Sequence, residues 1–198
     1  MTDQIADKMS GQMTHDQLLE RLDVVHRNGR RLVAGVAADQ WRRPTPCSEW
    51  DVRQLVNHMA FTATLLGDGA RRQEPSVAGI DDLLGDDPMA AIDQAFRRNA
   101  EAWQLDGALD GMVSVPAEMP AIAACTINLL DLGIHGWDLA QATGQDHGLT
   151  DDLVAVIDAA DRQIVTDEVR ERAGFGAALE PVDDRPLTAM LAFVGRSA

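Results

Sequence analysis

The chain has 198 residues, 45% of them hydrophobic and 25% charged, which is enough to bury a core without disulfides or structural metal ions. Its net charge of −15 at pH 7 argues against a nucleic-acid partner and against an anionic membrane surface, because both attract a surplus of Arg and Lys. With 2 cysteines, no apolar leader and no apolar run long enough to span a bilayer, the sequence indicates a cytoplasmic protein without a membrane partner.

The first part of the chain predicts two helices joined by a proline-containing connection. Residues 1–13 are polar and mixed in character, and we expect them to be flexible. Thr14 has the position of an N-cap for an amphipathic helix that runs to about residue 38. Ser48, three residues before Asp51, has the spacing of a capping box and predicts the start of the second helix. His58 borders the apolar face of that helix, which comprises Val52, Leu55, Val56, Met59, Ala63 and Leu66.

The rest of the chain predicts further helices and little strand. Asp87 and Pro88 favour the start of a third helix, and a small extended piece is expected at residues 112–115. Long helices follow at about residues 121–143 and 150–172, with a short one at 186–194. These elements predict an all-α fold: a four-helix bundle with one or two short extra helices and little or no sheet. We find no linker, so residues 14–198 are predicted to form a single domain.

Residues 128–139 form the segment around which the other predicted elements are arranged. Read as a helix, the segment places Asn128, Asp131, His135 and Asp138 at steps of three and four, in one polar stripe. The residues between them are almost all apolar, which is typical of a buried helix. A carboxylate and an imidazole on that stripe are therefore expected to point into the protein, where each needs a partner.

A divalent metal ion is one candidate partner. Asp131 and His135 lie about 6 Å apart along a helix axis, which lets both side chains grip one ion. His58, on another helix with a buried face, is a candidate third ligand. Two imidazoles and one carboxylate leave a position open for water or substrate, as in catalytic zinc and non-haem iron sites. Spacing alone equally permits ordinary hydrogen-bonded core or edge residues.

The other polar and reactive side chains have structural interpretations. Asn128 is expected to bond across helices, and Asp138 to accept a hydrogen bond from a neighbouring helix or loop, or to orient His135. Cys125 is interpreted as a small core hydrophobe, whereas Cys47 lies in a loop with no activating neighbour in the sequence. The sequence contains neither a Gly-rich phosphate loop nor a Gly-x-Ser-x-Gly elbow. We expect all four tryptophans to be packing residues: Trp41, Trp50, Trp103 and Trp137.

Three segments together resemble a known family. Residues 41–58, 131–144 and 175–196 are similar to the mycothiol-dependent maleylpyruvate isomerase N-terminal-domain family, within the DinB/YfiT-like group of metal-dependent proteins. The resemblance implies a DinB-like bundle with a divalent metal ion, usually zinc. It also implies that His58, Asp131 and His135 are the ligands. The isomerase has Glu where this chain has the shorter Asp131, which leaves open whether this carboxylate binds the ion directly or through water.

The resemblance also implies a reaction class. The leading hypothesis is a zinc-dependent transferase or isomerase, in which a low-molecular-weight thiol such as mycothiol, held as thiolate, attacks a small electrophile. The isomerase carries a further C-terminal domain that we do not expect within this chain, so fold and metal should carry over better than substrate. The alternatives are a non-catalytic metal- or ligand-binding bundle and a zinc-water hydrolase. Pairing of two copies as a homodimer is left open.

Overall fold

The computed structural model describes residues 13–48, 50–173 and 175–197. The predicted flexible N-terminus, except for residue 13, lies outside the described residues. The chain divides after His147 into two compact units, which are described separately below. The prediction of a single domain over residues 14–198 stays a prediction, because compactness alone does not show whether the units unfold together.

Seven helices and one two-stranded sheet make up the regular structure of the described residues, which confirms the all-α, DinB-like fold class. None of these helices is both long enough and apolar enough to cross a membrane. The first unit contains α1 (His15–Ala34), α2 (Val52–Ala70), α3 (Pro88–Trp103), β1 (Met112–Val113), β2 (Met119–Pro120) and α4 (Ala121–Thr143). The second unit contains α5 (Asp151–Ile164), α6 (Asp167–Ala173) and α7 (Pro186–Phe193).

The first unit is a four-helix bundle with α4 as its most buried member. Helix α4 packs against α1 and α2, and α3 packs against both of these helices in turn. Nearly every residue of α4 is buried, as its continuous apolar sequence predicts. The small extended piece predicted at residues 112–115 is present as a short antiparallel hairpin, in which Met112 pairs with Pro120. Trp103, Trp137 and Phe96 are the largest fully buried side chains.

Helix α2 begins one turn later than the sequence predicts. Its N-cap is Asp51, which accepts a hydrogen bond from the Gln54 backbone and completes a capping box, so the prediction of Ser48 as the cap was wrong. Thr45 donates to the carbonyl of Trp50 at 2.8 Å and holds the preceding segment in a turn. As a consequence, Cys47 and Trp50 lie on a fixed loop directly before the helix that carries His58.

The fifth predicted helix is broken in two. Val165 leaves the helical conformation at φ −84° and ψ 80°, and α6 begins after Thr166. The break falls in a run of three β-branched residues, Ile164 to Thr166, which lose rotamer freedom in a helix. The Thr166 hydroxyl then accepts from the Val169 backbone at 3.3 Å, so the chain starts a new helix.

Candidate metal centre

Three side chains from two helices of the first unit converge, and they are the three that the sequence singled out. Helix α2 supplies His58, and α4 supplies Asp131 and His135 one turn apart. One nitrogen or oxygen of each lies within 4.8 Å of the others. The structure therefore brings the predicted ligand set together, while the binding of an ion there stays a prediction.

Asp131 is the anionic group between the two histidines. Its Oδ1 lies 3.0 Å from His58 Nε2 and 3.5 Å from His135 Nε2. Its Oδ2 accepts a hydrogen bond of 2.6 Å from the Thr62 hydroxyl. Burial raises the pKa of this carboxyl, but the two imidazoles and the hydrogen bonds from His58 and Thr62 outweigh burial and lower the pKa to about 2. Asp131 is therefore ionised throughout the neutral range.

Asp138 fixes the orientation of His135. This carboxylate is fully buried, and its Oδ2 accepts from His135 Nδ1 at 3.0 Å and from the Cys47 thiol at 3.3 Å. The hydrogen bond from a neighbouring loop that the sequence predicts for Asp138 is therefore present. A carboxylate behind the imidazole is the usual companion of a metal-binding histidine, because it places the proton on the nitrogen that faces away from the ion.

The position of that proton tests whether the residues fit a metal ion. When Nδ1 of neutral His135 donates to Asp138, its Nε2 carries only a lone pair. That lone pair and the Oδ1 of Asp131, which lie 3.5 Å apart, can then both bind one cation, whereas in the absence of an ion a proton on Nε2 can donate to Asp131 instead. Tetrahedral zinc would separate such N and O ligands by about 3.3 Å, close to the 3.0 and 3.5 Å found here. The donor set therefore fits a divalent ion.

Trp50 covers this centre from the loop before α2. Its ring lies 4.4 Å from the ring of His58 and 5.7 Å from that of His135. The two imidazoles meet edge to face, with 4.8 Å between their centroids. Trp50 therefore packs, as predicted, and it packs against the candidate ligands, where its apolar ring limits the access of water.

A cavity of about 440 Å³ opens beside His58, within the size range of small-molecule sites. The aromatic rings of Trp50 and Phe61 contribute apolar surface to its wall. Besides His58, the other wall residues are two arginines, two aspartates and two amides: Arg42, Arg53, Asp81, Asp82, Gln54 and Asn57. The cavity gives a small ligand a route to the His58 side of the centre.

Sequence reasoning missed two residues of the site. Thr62 lies one turn after His58 on the same face of α2, so helical spacing could have identified it. Cys47 is 3.8 Å from His135 Nδ1, a contact across 88 positions of sequence that no local pattern contains. The structural interpretations of Asn128 and Cys125 agree with the structure. Asn128 accepts a cross-helix hydrogen bond from the Trp103 indole at 3.2 Å, and burial of Cys125 raises the pKa of its thiol.

Every residue of the centre lies within a segment that matches a known family. Residues 22–140 match the family model for the mycothiol maleylpyruvate isomerase N-terminal domain. Two uncharacterized proteins of Mycobacterium tuberculosis, from strains CDC 1551 / Oshkosh and H37Rv, are each 31% identical over 169 residues. The alignment covers 84% of this chain and 90% of each relative. No solved structure matches the chain.

Proposed function

Because the chain belongs to the mycothiol maleylpyruvate isomerase N-terminal domain family, we propose that it is a zinc-dependent enzyme acting with a low-molecular-weight thiol. Mycothiol is the thiol that the family description suggests. The second substrate would be a small electrophile, to which the thiol adds permanently in a transferase or from which it departs again in an isomerase. The observation that carries this proposal is the convergence of His58 Nε2 and His135 Nε2 on Asp131 Oδ1, at 3.0 and 3.5 Å.

His58, Asp131 and His135 would hold the ion, leaving a fourth position open. When bound, zinc would supply charge that lowers the pKa of a thiol and keeps it as thiolate near neutral pH. The 3.0 and 3.5 Å separations from both histidines support direct binding by Asp131 Oδ1 rather than binding through water.

The protein's own groups would position the reaction. Thr62 holds the Oδ2 of Asp131, so that Oδ1 faces the histidines. Asp138 keeps the Nε2 of His135 directed toward the same point. Trp50 limits water at the centre, while the cavity beside His58 gives the electrophile space. The thiol would release one proton, its sulfur pair would form the S–C bond, and the electrophile would take up one proton in return.

The cavity beside His58 supports a function with a small-molecule substrate rather than a purely structural metal site. A hydrolase built on an ion-bound water would use the same centre. The two catalytic alternatives differ in one requirement: the transferase or isomerase needs added thiol for turnover, and the hydrolase does not.

The test combines metal analysis with product analysis. Wild-type protein, His58→Ala and His135→Ala would be compared for bound zinc and for conjugate or isomer formation from mycothiol and a panel of activated alkenes. We expect the two variants to lose both properties, whereas His15→Ala, a change at an exposed histidine of α1, should retain them. Full zinc content in both site variants would refute the ligand assignment, and the absence of any thiol-dependent product at full zinc loading would refute the reaction.

A further inference from the structure

We propose that the centre has a second cation position, formed by Cys47, His135 and Asp138, which takes a thiophilic metal ion. The Sγ of Cys47, the Nδ1 of His135 and the Oδ2 of Asp138 lie within 4.8 Å of one another. This position uses the opposite ring nitrogen of His135 from the one assigned to the proposed zinc ligand set, together with two residues outside that set. It therefore goes beyond the proposed function.

The separations of the three ligand atoms match one face of a tetrahedral site. Metal bonds of about 2.0–2.3 Å at tetrahedral angles place N about 3.3 Å from O, and S about 3.6 Å from either. The separation of Nδ1 from Oδ2 is 3.0 Å, that of Sγ from Oδ2 is 3.3 Å and that of Sγ from Nδ1 is 3.8 Å. Each differs from the tetrahedral value by a few tenths of an ångström, which small side-chain rotations can supply.

The chemistry of these ligands selects the ion. A cysteine sulfur is a soft ligand, so a set with one sulfur, one imidazole and one carboxylate favours a soft divalent ion such as cadmium over magnesium or calcium. Asp138 is fully buried, whereas Cys47 is partly exposed at the loop, which gives an arriving ion access to the thiol. On binding, the thiol releases its proton to solvent and the sulfur electron pair forms the bond to the metal. The thiolate and the carboxylate together balance a divalent charge.

His135 makes the two positions exclusive. A neutral imidazole has one lone pair, which either nitrogen can carry but not both at once. An ion at Nδ1 therefore requires the proton on Nε2, where it can donate toward Asp131 at 3.5 Å. The ligand set of His58, Asp131 and His135 then loses one member. A thiophilic ion held through Cys47 would consequently displace zinc from the proposed catalytic position.

Cadmium titration of the full chain tests the proposal. We expect a thiolate-to-cadmium absorption band in the near ultraviolet that saturates at one ion per chain, with release of one zinc ion from zinc-loaded protein. Cys47→Ser should abolish the band, while His58→Ala should retain it, because His58 belongs only to the other position. Cys125→Ala is the matched control for the second, fully buried thiol and should leave the band unchanged.

Four outcomes would overturn the proposal: no band in the wild type, a band that survives Cys47→Ser, a band lost in His58→Ala, or cadmium bound while all zinc is retained. Circular dichroism of each variant checks that it is folded. The proposed function is tested separately, because Cys47→Ser should still bind zinc through His58, Asp131 and His135. Loss of the cadmium band with normal zinc content in that variant would support both the second position and the ligand assignment of the first.

Discussion

Replacing His26 by Leu is expected to remove one large loss of stability that the four-helix bundle suffers on acidification. His26 lies on α1 with 0% of its surface exposed, and its ring packs against Phe96 at a centroid distance of 5.0 Å. Neither ring nitrogen makes a hydrogen bond of good geometry with the described residues, and the nearby Asn99 side chain offsets only part of the effect of burial on the pKa of His26. Burial, and then the charge of nearby Arg30, lowers the pKa of His26 from 6.5 to about 3. The folded protein therefore keeps this imidazole neutral.

The sign and size of the effect follow from that shift. Between pH 6.5 and about 3 the unfolded chain binds a proton at His26 that the folded chain does not. Its contribution to stability is therefore complete above pH 6.5 and is lost as the pH falls toward 3. At about 1.4 kcal/mol per pH unit, the whole loss is on the order of 5 kcal/mol. A loss of that size is comparable with the total stability of many domains.

Urea unfolding at several pH values between 7 and 4 measures this loss without adding salt. The wild type should lose about 1.4 kcal/mol of unfolding free energy per pH unit below pH 6 through this group. His26→Leu should lack this contribution, so its slope should differ from the wild-type slope by about 1.4 kcal/mol per pH unit. Its stability at pH 7 should be kept or raised, because Leu suits an apolar site. His15→Leu, at an exposed position of the same helix, should keep the wild-type slope. Equal slopes in wild type and His26→Leu would refute the assignment.

Three further predictions follow from the site and its supports. Asp51→Ala should destabilise the first unit by about 1 kcal/mol through loss of the α2 cap, whereas Ser48→Ala should leave the melting temperature unchanged; equal melting temperatures for the two variants would contradict the cap assignment. Asp138→Asn should weaken the proposed zinc binding by about 10–100-fold, because a neutral amide replaces the charged acceptor that orients His135, and competition with a chromophoric chelator measures that change. Removal of zinc by a chelator should leave the helical circular dichroism intact, since the bundle has its own apolar core; unfolding on chelation would indicate a structural ion instead.

The bundle could be predicted from the sequence because the apolar periodicity and the capping residues of the long helices are local features of the sequence. Helix α4 combines continuous apolar residues with Gly144, which takes the left-handed conformation at φ 72° and ends the helix. Thr14 and Asp87 cap α1 and α3 as predicted. The start of α2 could not be predicted, because Ser48 and Asp51 both match a capping pattern. In the structure Thr45 donates to the carbonyl of Trp50 in the segment before the helix, and Asp51 is the residue that caps it.

The candidate site likewise contains residues that could be predicted from the sequence and one that could not. Asp131 and His135 were visible because they repeat at helical spacing on one helix, and His58 because the family resemblance pairs it with them. Cys47 was not visible, since its approach to His135 depends on where the loop before α2 packs. A local pattern contains the residues of one helix face, but it does not contain the neighbour that a different segment brings to that face.

The two compact units contain buried ionisable groups whose pH dependences have opposite sign, which allows a test of the single-domain prediction. In the second unit Asp161 is fully buried, and neither carboxylate oxygen has a hydrogen-bond partner among the described residues. Burial, aided by the charge of Asp158, raises its pKa from 3.8 to about 7, against the opposing charges of Arg196, Arg162 and Arg170. Its contribution to stability is therefore complete below pH 3.8 and is lost as the pH rises through 7. His26 acts in the opposite direction over an overlapping range.

If residues 14–198 unfold as one cooperative domain, the two slopes largely cancel and calorimetry shows one transition with little pH dependence between 4 and 6.5. If the units unfold separately, acidification moves one transition down and the other up, and Asp161→Asn removes only the second shift. One transition at every pH would exclude separate unfolding; two transitions moving apart would refute the single domain.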